Sequence, residues 1–218
     1  MSAALLQPVA LCAAFWTALL VYGRRAGPVR SVRFALALAL GALLAHLGWA
    51  LLHWDAVREH PTALLDPLVG SCVLFVPLGP LLLERSSAAF ASLPLALAVA
   101  RLGCVAAGCC HGTPTAVPWA VAGLHPTSLY EITGLLALHG VVSRANERFR
   151  MPLALGGIGG LRLVVDSLRV SPPLGLPLIP ASGIAAAWVA LAVVLASAPM
   201  LSRRAARQRG KRAGSGLH

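Results

Sequence analysis

Apolar residues fill this chain in long blocks, with polar residues gathered between the blocks rather than interleaved with them. The blocks fall at 3–22, 34–53, 64–83, 88–108, 127–142, 152–168 and 181–200. Each approaches the roughly 20 residues that a helix needs to cross a bilayer hydrocarbon core. In lipid every backbone N–H and C=O must be satisfied within the segment, so such blocks are predicted to be helices. The pattern therefore predicts an all-α integral membrane protein, a bundle of about seven transmembrane helices in one domain spanning 1–201. Two internal details follow. Pro67, Pro77 and Pro80 are expected to kink the third helix, and Gly156 and Gly160, at small-xxx-small spacing, are expected to let a neighbour approach the sixth.

Between the blocks lie an arginine-rich turn (23–33), a polar connection (54–61), a short turn (84–87), a Gly/Pro-containing loop with Trp119 (109–126), a turn with Arg144, Arg148 and Arg150, a proline-rich loop (171–180) and a basic tail (202–218). The tail has too little apolar content to fold alone and is expected to be disordered and cytoplasmic. No basic residue precedes the first block, so it reads as a span and not as a cleaved signal.

Composition agrees with this picture. Of 218 residues 58% are hydrophobic and 11% charged, against about a quarter charged in soluble domains. The net charge of +11 sits in short patches between apolar runs, which marks topology and anionic headgroups, not nucleic acid. With the N-terminus outside, the inner segments carry fourteen Lys/Arg and the outer ones two. That asymmetry predicts an outer N-terminus and a cytoplasmic C-terminus. The remaining two cations, Arg101 and Arg162, fall inside spans.

An arginine at the centre of a span costs about 2.5–3.5 kcal/mol even on the insertion scale, so both must face a partner or a cavity. Arg162 lies ten residues into the sixth block and Arg101 thirteen into the fourth, about 15 and 20 Å along their helices. They are thus at similar depth. Arg162, Asp166 and Arg169 share one helical face, as do Arg101 and Cys104. A purely structural role, with Arg162 on Asp166 and Arg101 on Glu131, competes with a functional one. Positive charge left over after such pairing suits a phosphate, which planar guanidinium binds in a bidentate way.

Three motifs carry a resemblance. Arg101-Leu-Gly-Cys-x-x-x-Gly108 extended to Gly112, His125-Pro-x-x-Leu-Tyr-Glu131, and Gly160-Leu-Arg-Leu-Val-Val-Asp-Ser-Leu-Arg169 occur in this order. From about Arg101 to Met200 the chain resembles the prolipoprotein diacylglyceryl transferase family, enzymes of the bacterial inner membrane. The resemblance implies transfer of diacylglyceryl from phosphatidylglycerol to the cysteine thiol of a prolipoprotein signal peptide, with release of glycerol phosphate and no cofactor. It implies that Arg101 and Arg162 handle the phosphate and that His125 or His111 takes the thiol proton. Cys104, Gly112, Tyr130, Glu131, Asp166 and Arg169 are expected around the substrate, Tyr130 and Glu131 orienting the arginines or the headgroup. The chain departs from the family pattern at Cys104, where the family has asparagine, and at Ala107-Gly108-Cys109, where it has Asn-Gly-Glu. Val69-Gly70-Ser71 stands where the family has His-Gly-Gly.

Five cysteines make an odd set. Cys12 and Cys72 lie in apolar runs and read as small hydrophobes. Cys104, Cys109 and Cys110 cluster beside His111, but Cys-x4-Cys-Cys-His is not a common zinc spacing, so no metal is assigned and a disulfide is preferred. The competing function is a non-catalytic membrane protein that binds anionic lipid headgroups and carries a redox-active or metal-binding Cys/His cluster. A transporter is disfavoured because no inverted repeat is visible.

Overall fold

The computed structural model describes residues 3–64, 73–169 and 182–197. The helices are α1 (Ala3–Ala26), α2 (Pro28–Leu52), α3 (Trp54–Glu59), α4 (Leu78–Leu83), α5 (Ser87–Ala107), α6 (Thr127–Arg144), α7 (Glu147–Asp166) and α8 (Ser182–Ser197). Among the described residues there is no strand, only isolated bridges. All regular structure among the described residues is helical, as the block pattern predicts. Three stretches, Leu6–Ala26 of α1, α2 and α5, are long and apolar enough to cross a membrane. Helices α6 and α7 have 18 and 20 residues, about 27 and 30 Å of rise. They carry the polar residues discussed below.

Helix α5 is the axis of the bundle. It is apolar all round, and twelve of its 21 residues are buried, as expected for a helix enclosed by others. It packs against α1, α6 and α7. Ser86 caps it by accepting from the Ala89 N–H at 3.3 Å. At the same end α1 and α2 are closed by a buried stack of Tyr22 on Phe34, centroids 4.2 Å apart. The Tyr22 hydroxyl donates to Glu84 at 3.0 Å, and Arg33 pairs with Glu84 at 3.5 Å. The histidines inside the apolar helices bond carbonyl oxygens distant in sequence, His46 that of Leu64 and His139 that of Ala91.

Three expectations need correction. The third block is not one kinked helix over its described part. A 3-10 turn, Val73–Phe75, is followed by α4, which begins only after Pro77. Proline offers no N–H to continue a helix running into it and pushes its predecessor out of the α region, but its fixed φ suits a helix start. Residues 65–72, with Pro67 and Cys72, lie outside the described residues, as do the loop at 171–180 and the tail at 202–218. The helix expected from residue 152 starts at Glu147, because Asn146 caps it by accepting from the Arg148 N–H at 3.3 Å. Arg148 and Arg150 are therefore in a helix and not in a turn.

The close approach predicted at Gly156 and Gly160 is made by Gly156 and Gly159. A Cβ on Gly156 would lie 2.9 Å from Ala192 of α8 and one on Gly159 would lie 2.6 Å from the Ala185 oxygen, whereas one on Gly160 would meet nothing within 4 Å. The small-residue face is thus i, i+3 and turns towards α8.

Candidate active site

Helices α5, α6 and α7 each deliver a charge to one buried point. Arg101 lies fourteen residues after the start of α5 and Arg162 fifteen after the start of α7, about 21 and 22 Å along their axes. The earlier start of α7 makes the depths match more closely than the sequence pattern does. Between them stands Glu131 of α6, 1% exposed, with both arginines at 9%.

Glu131 is the hub. Its Oε2 is 2.7 Å from Arg101 Nε and 3.6 Å from an Arg169 nitrogen, and its Oε1 accepts from Arg162 Nη1 at 2.5 Å and from Arg101 Nη2 at 3.3 Å. Asp166 takes a second layer, 2.7 Å from Arg162 and 3.8 Å from Arg169. Three guanidiniums thus face two carboxylates, leaving one positive charge in excess. Arg101 Nε at 2.7 Å is a charge contact without hydrogen-bond alignment, and Arg162 Nε, Arg169 Nε and Arg169 Nη2 are also buried without a hydrogen bond. Buried donors left unmatched are uncommon in folded proteins. A cavity of about 10 Å³ adjoins the hub between Leu97, Leu135, Ile158 and Leu161, enough for about one water.

The loop between α5 and α6 is tied across the ends of these helices. The Gly112 N–H donates to the His125 oxygen at 3.0 Å, the Thr113 N–H to the Leu168 oxygen at 2.8 Å, and the His125 N–H to the Thr113 oxygen at 3.1 Å. Gly112 is also bridged to Arg169. A Cβ on Gly112 would stand 2.6 Å from the His125 oxygen and 2.8 Å from the Leu168 oxygen, so only glycine fits between these backbones. Its sequence neighbours give no sign of this, since the constraint comes from His125, before α6, and Leu168, beyond α7. Thr127, fully buried, donates its hydroxyl to the Cys110 oxygen.

The chain belongs to a known family by a direct comparison. The family model described as prolipoprotein diacylglyceryl transferase matches residues 81–203, more than half of the chain.

This chain is a member of the prolipoprotein diacylglyceryl transferase family.

A search of curated proteins returns no match. All three motifs of the resemblance lie inside the matched region, and so do the arginines, the hub carboxylate and the loop. At family level the activity is transfer of diacylglyceryl to prolipoproteins, in bacterial membranes.

Within the family member, the expected site residues divide into groups. Arg101, Glu131, Asp166, Arg162 and Arg169 converge. Cys104 joins them, its Sγ 3.5 Å from Arg101 Nη1. Tyr130 does not orient the arginines: its hydroxyl accepts from Trp119 Nε1 at 2.7 Å and lies 3.2 Å from His125 Nδ1. Tyr130 precedes Glu131 by one residue, about 100° around α6, and so faces the loop instead. His111 is exposed. Trp119 of the loop is tied to the site only through Tyr130. Ser128, which no sequence pattern marks, is buried with an unpartnered hydroxyl, one helical turn before Glu131 and on its face.

Helix α5 ends in a left-handed glycine. Gly108, at φ 62°, donates to Val105, and Cys109 donates to the Cys104 oxygen at 3.1 Å. This 6→1 and 5→2 pair is a Schellman closure. It folds Cys109 and Cys110 back over Cys104, with Cys110 itself left-handed at φ 63°. The three sulfurs lie within 4.8 Å of one another as free thiols. The disulfide preferred from spacing is thus not formed here. The Cys110 thiol is drawn down to about 5, first by its hydrogen bond with the Cys104 thiol, with the Arg169 and Arg101 charges assisting against burial. Burial pushes the Cys109 thiol up.

Proposed function

We propose that this protein transfers diacylglyceryl from phosphatidylglycerol to the cysteine thiol of a prolipoprotein signal peptide and releases glycerol phosphate. The observation that carries the reading is the buried group of three arginines on two carboxylates, with unmatched N–H donors, inside the region that matches the family. In the reaction a C–S bond forms and the C–O bond to phosphate breaks. The phosphodiester monoanion becomes a phosphomonoester with one more negative charge. Cations already in place where that charge develops lower the barrier without reorganising.

Arg101 and Arg162 would neutralise the leaving phosphate. The cavity at the hub has room for about one water and not for a phosphate, so a headgroup must displace a carboxylate contact. Arg169 has the longest contacts, 3.6 and 3.8 Å, and two nitrogens without a hydrogen bond, which makes it the arginine that turns to the ligand. Glu131 and Asp166 hold the guanidiniums apart and in orientation. For the thiol proton we assign His125 ahead of the exposed His111: Tyr130 engages its Nδ1, leaving Nε2 for the acceptor thiol, and imidazole is the side chain most often used as a general base. Gly112 fixes the loop that carries it.

The same reading makes the chain a multi-pass protein of the bacterial inner membrane. It would have about seven spans, the N-terminus outside, a transferase domain over 1–201 and a cytoplasmic basic tail over 202–218. The fourteen-to-two division of Lys/Arg supports that orientation.

The test is expression in cells depleted of their own diacylglyceryl transferase, with mass spectrometry of a lipobox peptide. The diacylglyceryl mass on its cysteine is expected. Arg101→Ala and Arg162→Ala should each abolish it in protein that still inserts. Unmodified peptide despite good expression, with phospholipid bound in stoichiometric amount, would instead establish a non-catalytic lipid binder.

A further inference from the structure

The three thiols beside the arginine group are not used by the transfer reaction, and two of them stand where the family pattern has asparagine and glutamate. We propose that Cys104, Cys109 and Cys110 form a three-thiolate binding site for a thiophilic divalent cation of the zinc class.

Geometry is the first support. A cation bound by three thiolates at about 2.3 Å requires sulfurs about 3.8–4.0 Å apart, in tetrahedral or trigonal arrangement. Here they are already within 4.8 Å of one another, so side-chain rotation closes the site without moving a helix. The spacing Cys-x4-Cys-Cys is unpromising on an extended or helical chain, but the Schellman turn at Gly108 changes its geometry. It reverses the chain directly after α5 and stacks Cys109 over the turn that bears Cys104, where the Cys109 Sγ lies 3.6 Å from the Cys104 oxygen. Cys110 completes the group from a left-handed backbone that a non-glycine residue rarely adopts. Adjacent cysteines normally diverge, and that conformation is what lets both face Cys104.

Charge is the second support. A divalent cation with three thiolates carries one net negative charge, and each protonated thiol that binds gives up its proton to solvent. The neighbouring three arginines and two carboxylates carry one net positive charge, and Arg101 Nη1 already lies 3.5 Å from Cys104 Sγ. The two groups neutralise each other. A monovalent cation would leave an uncompensated negative charge, which is why the divalent ion is favoured. The fourth position of a tetrahedral ion is left for water. The His111 imidazole is not among the converging ligand atoms.

The experiment uses the full chain, purified in detergent, reduced, and freed of reductant under nitrogen. Titration with Co2+ should give thiolate-to-metal charge-transfer absorption saturating at one ion per chain, displaced by Zn2+. Zinc should also protect three of the five thiols from alkylation. Cys104→Ser, Cys109→Ser and Cys110→Ser should each weaken binding by more than the roughly 10–100-fold that loss of an outer-shell partner costs, and Cys12→Ser with Cys72→Ser should leave it unchanged. The proposal is overturned by absence of charge transfer while all three thiols titrate as free. It is equally overturned by a signal that survives in the triple serine variant, or by a disulfide among the three that re-forms before metal is added.

Discussion

Replacing Glu131 by glutamine keeps the shape of the hub and removes its charge. In the native protein three guanidiniums lie 2.7, 2.5 and 3.6 Å from this one carboxylate. A pair of unit charges about 4 Å apart is worth about 4 kcal/mol at an effective dielectric of 20, so the lost attraction exceeds that of any single pair. Against it stands the desolvation that a buried carboxylate no longer has to overcome, and the amide oxygen still accepts one hydrogen bond. Breaking a buried ion pair on one side costs about 3–5 kcal/mol, and Glu131→Gln is expected to fall in that range, because the excess positive charge rises from one to two. Unfolding in mixed micelles with increasing dodecyl sulfate, followed by circular dichroism, reads the loss. Adding Arg162→Gln to the variant should recover part of it, with a coupling of about 0.5–3 kcal/mol. A stability within about 1 kcal/mol of native, or strict additivity of the two changes, would refute the hub.

Gly112→Ala should destabilise by about 1–3 kcal/mol, since its Cβ would meet two carbonyl oxygens of the backbone at 2.6 and 2.8 Å; an unchanged thermal midpoint sinks the account. Cys110, with its thiol near 5, is a thiolate across the neutral range. Its alkylation by iodoacetamide, resolved by peptide mass spectrometry, should be flat from pH 7 to 9 and fall only as pH drops through about 5, whereas Cys109 should react more slowly and keep gaining above pH 9. A Cys110 rate that climbs about tenfold per pH unit through neutrality, as an ordinary thiol does, contradicts this. Tyr130→Phe should leave the arginine group intact and perturb Trp119 fluorescence, because its hydroxyl accepts the indole N–H at 2.7 Å.

The charged group was legible in the sequence because arginine inside an apolar run demands an explanation, and because Arg162, Asp166 and Arg169 repeat at helical spacing. The helices α5 and α6 were legible almost to the residue, their apolar blocks ending at Gly108 and beginning after Pro126. What could not be read was convergence. Glu131 appeared as one of several orienting groups, and only the packing of three helices makes it the common partner. The side of the helix taken by Tyr130 was hidden for a related reason: Glu131 faces the arginines, but the position before it points about 100° away, to Trp119 and His125. The thiol cluster was judged on linear spacing, which a single left-handed glycine alters. In the third block the prolines were noticed, but their effect at Pro77 is to restart a helix and not to bend one.

The loop after α5 bonds its backbone to His125, two residues before α6, and to Leu168 in the turn beyond α7, through Gly112 and Thr113. Although irregular and at the end of the bundle, it is a crossbar joining three helices. Its amides should therefore exchange with solvent as slowly as those of the helices it ties, since opening any of them requires the same cooperative event. Lipid gaining access to the arginines would have to part the helices sideways below the crossbar, because the end of the bundle is latched.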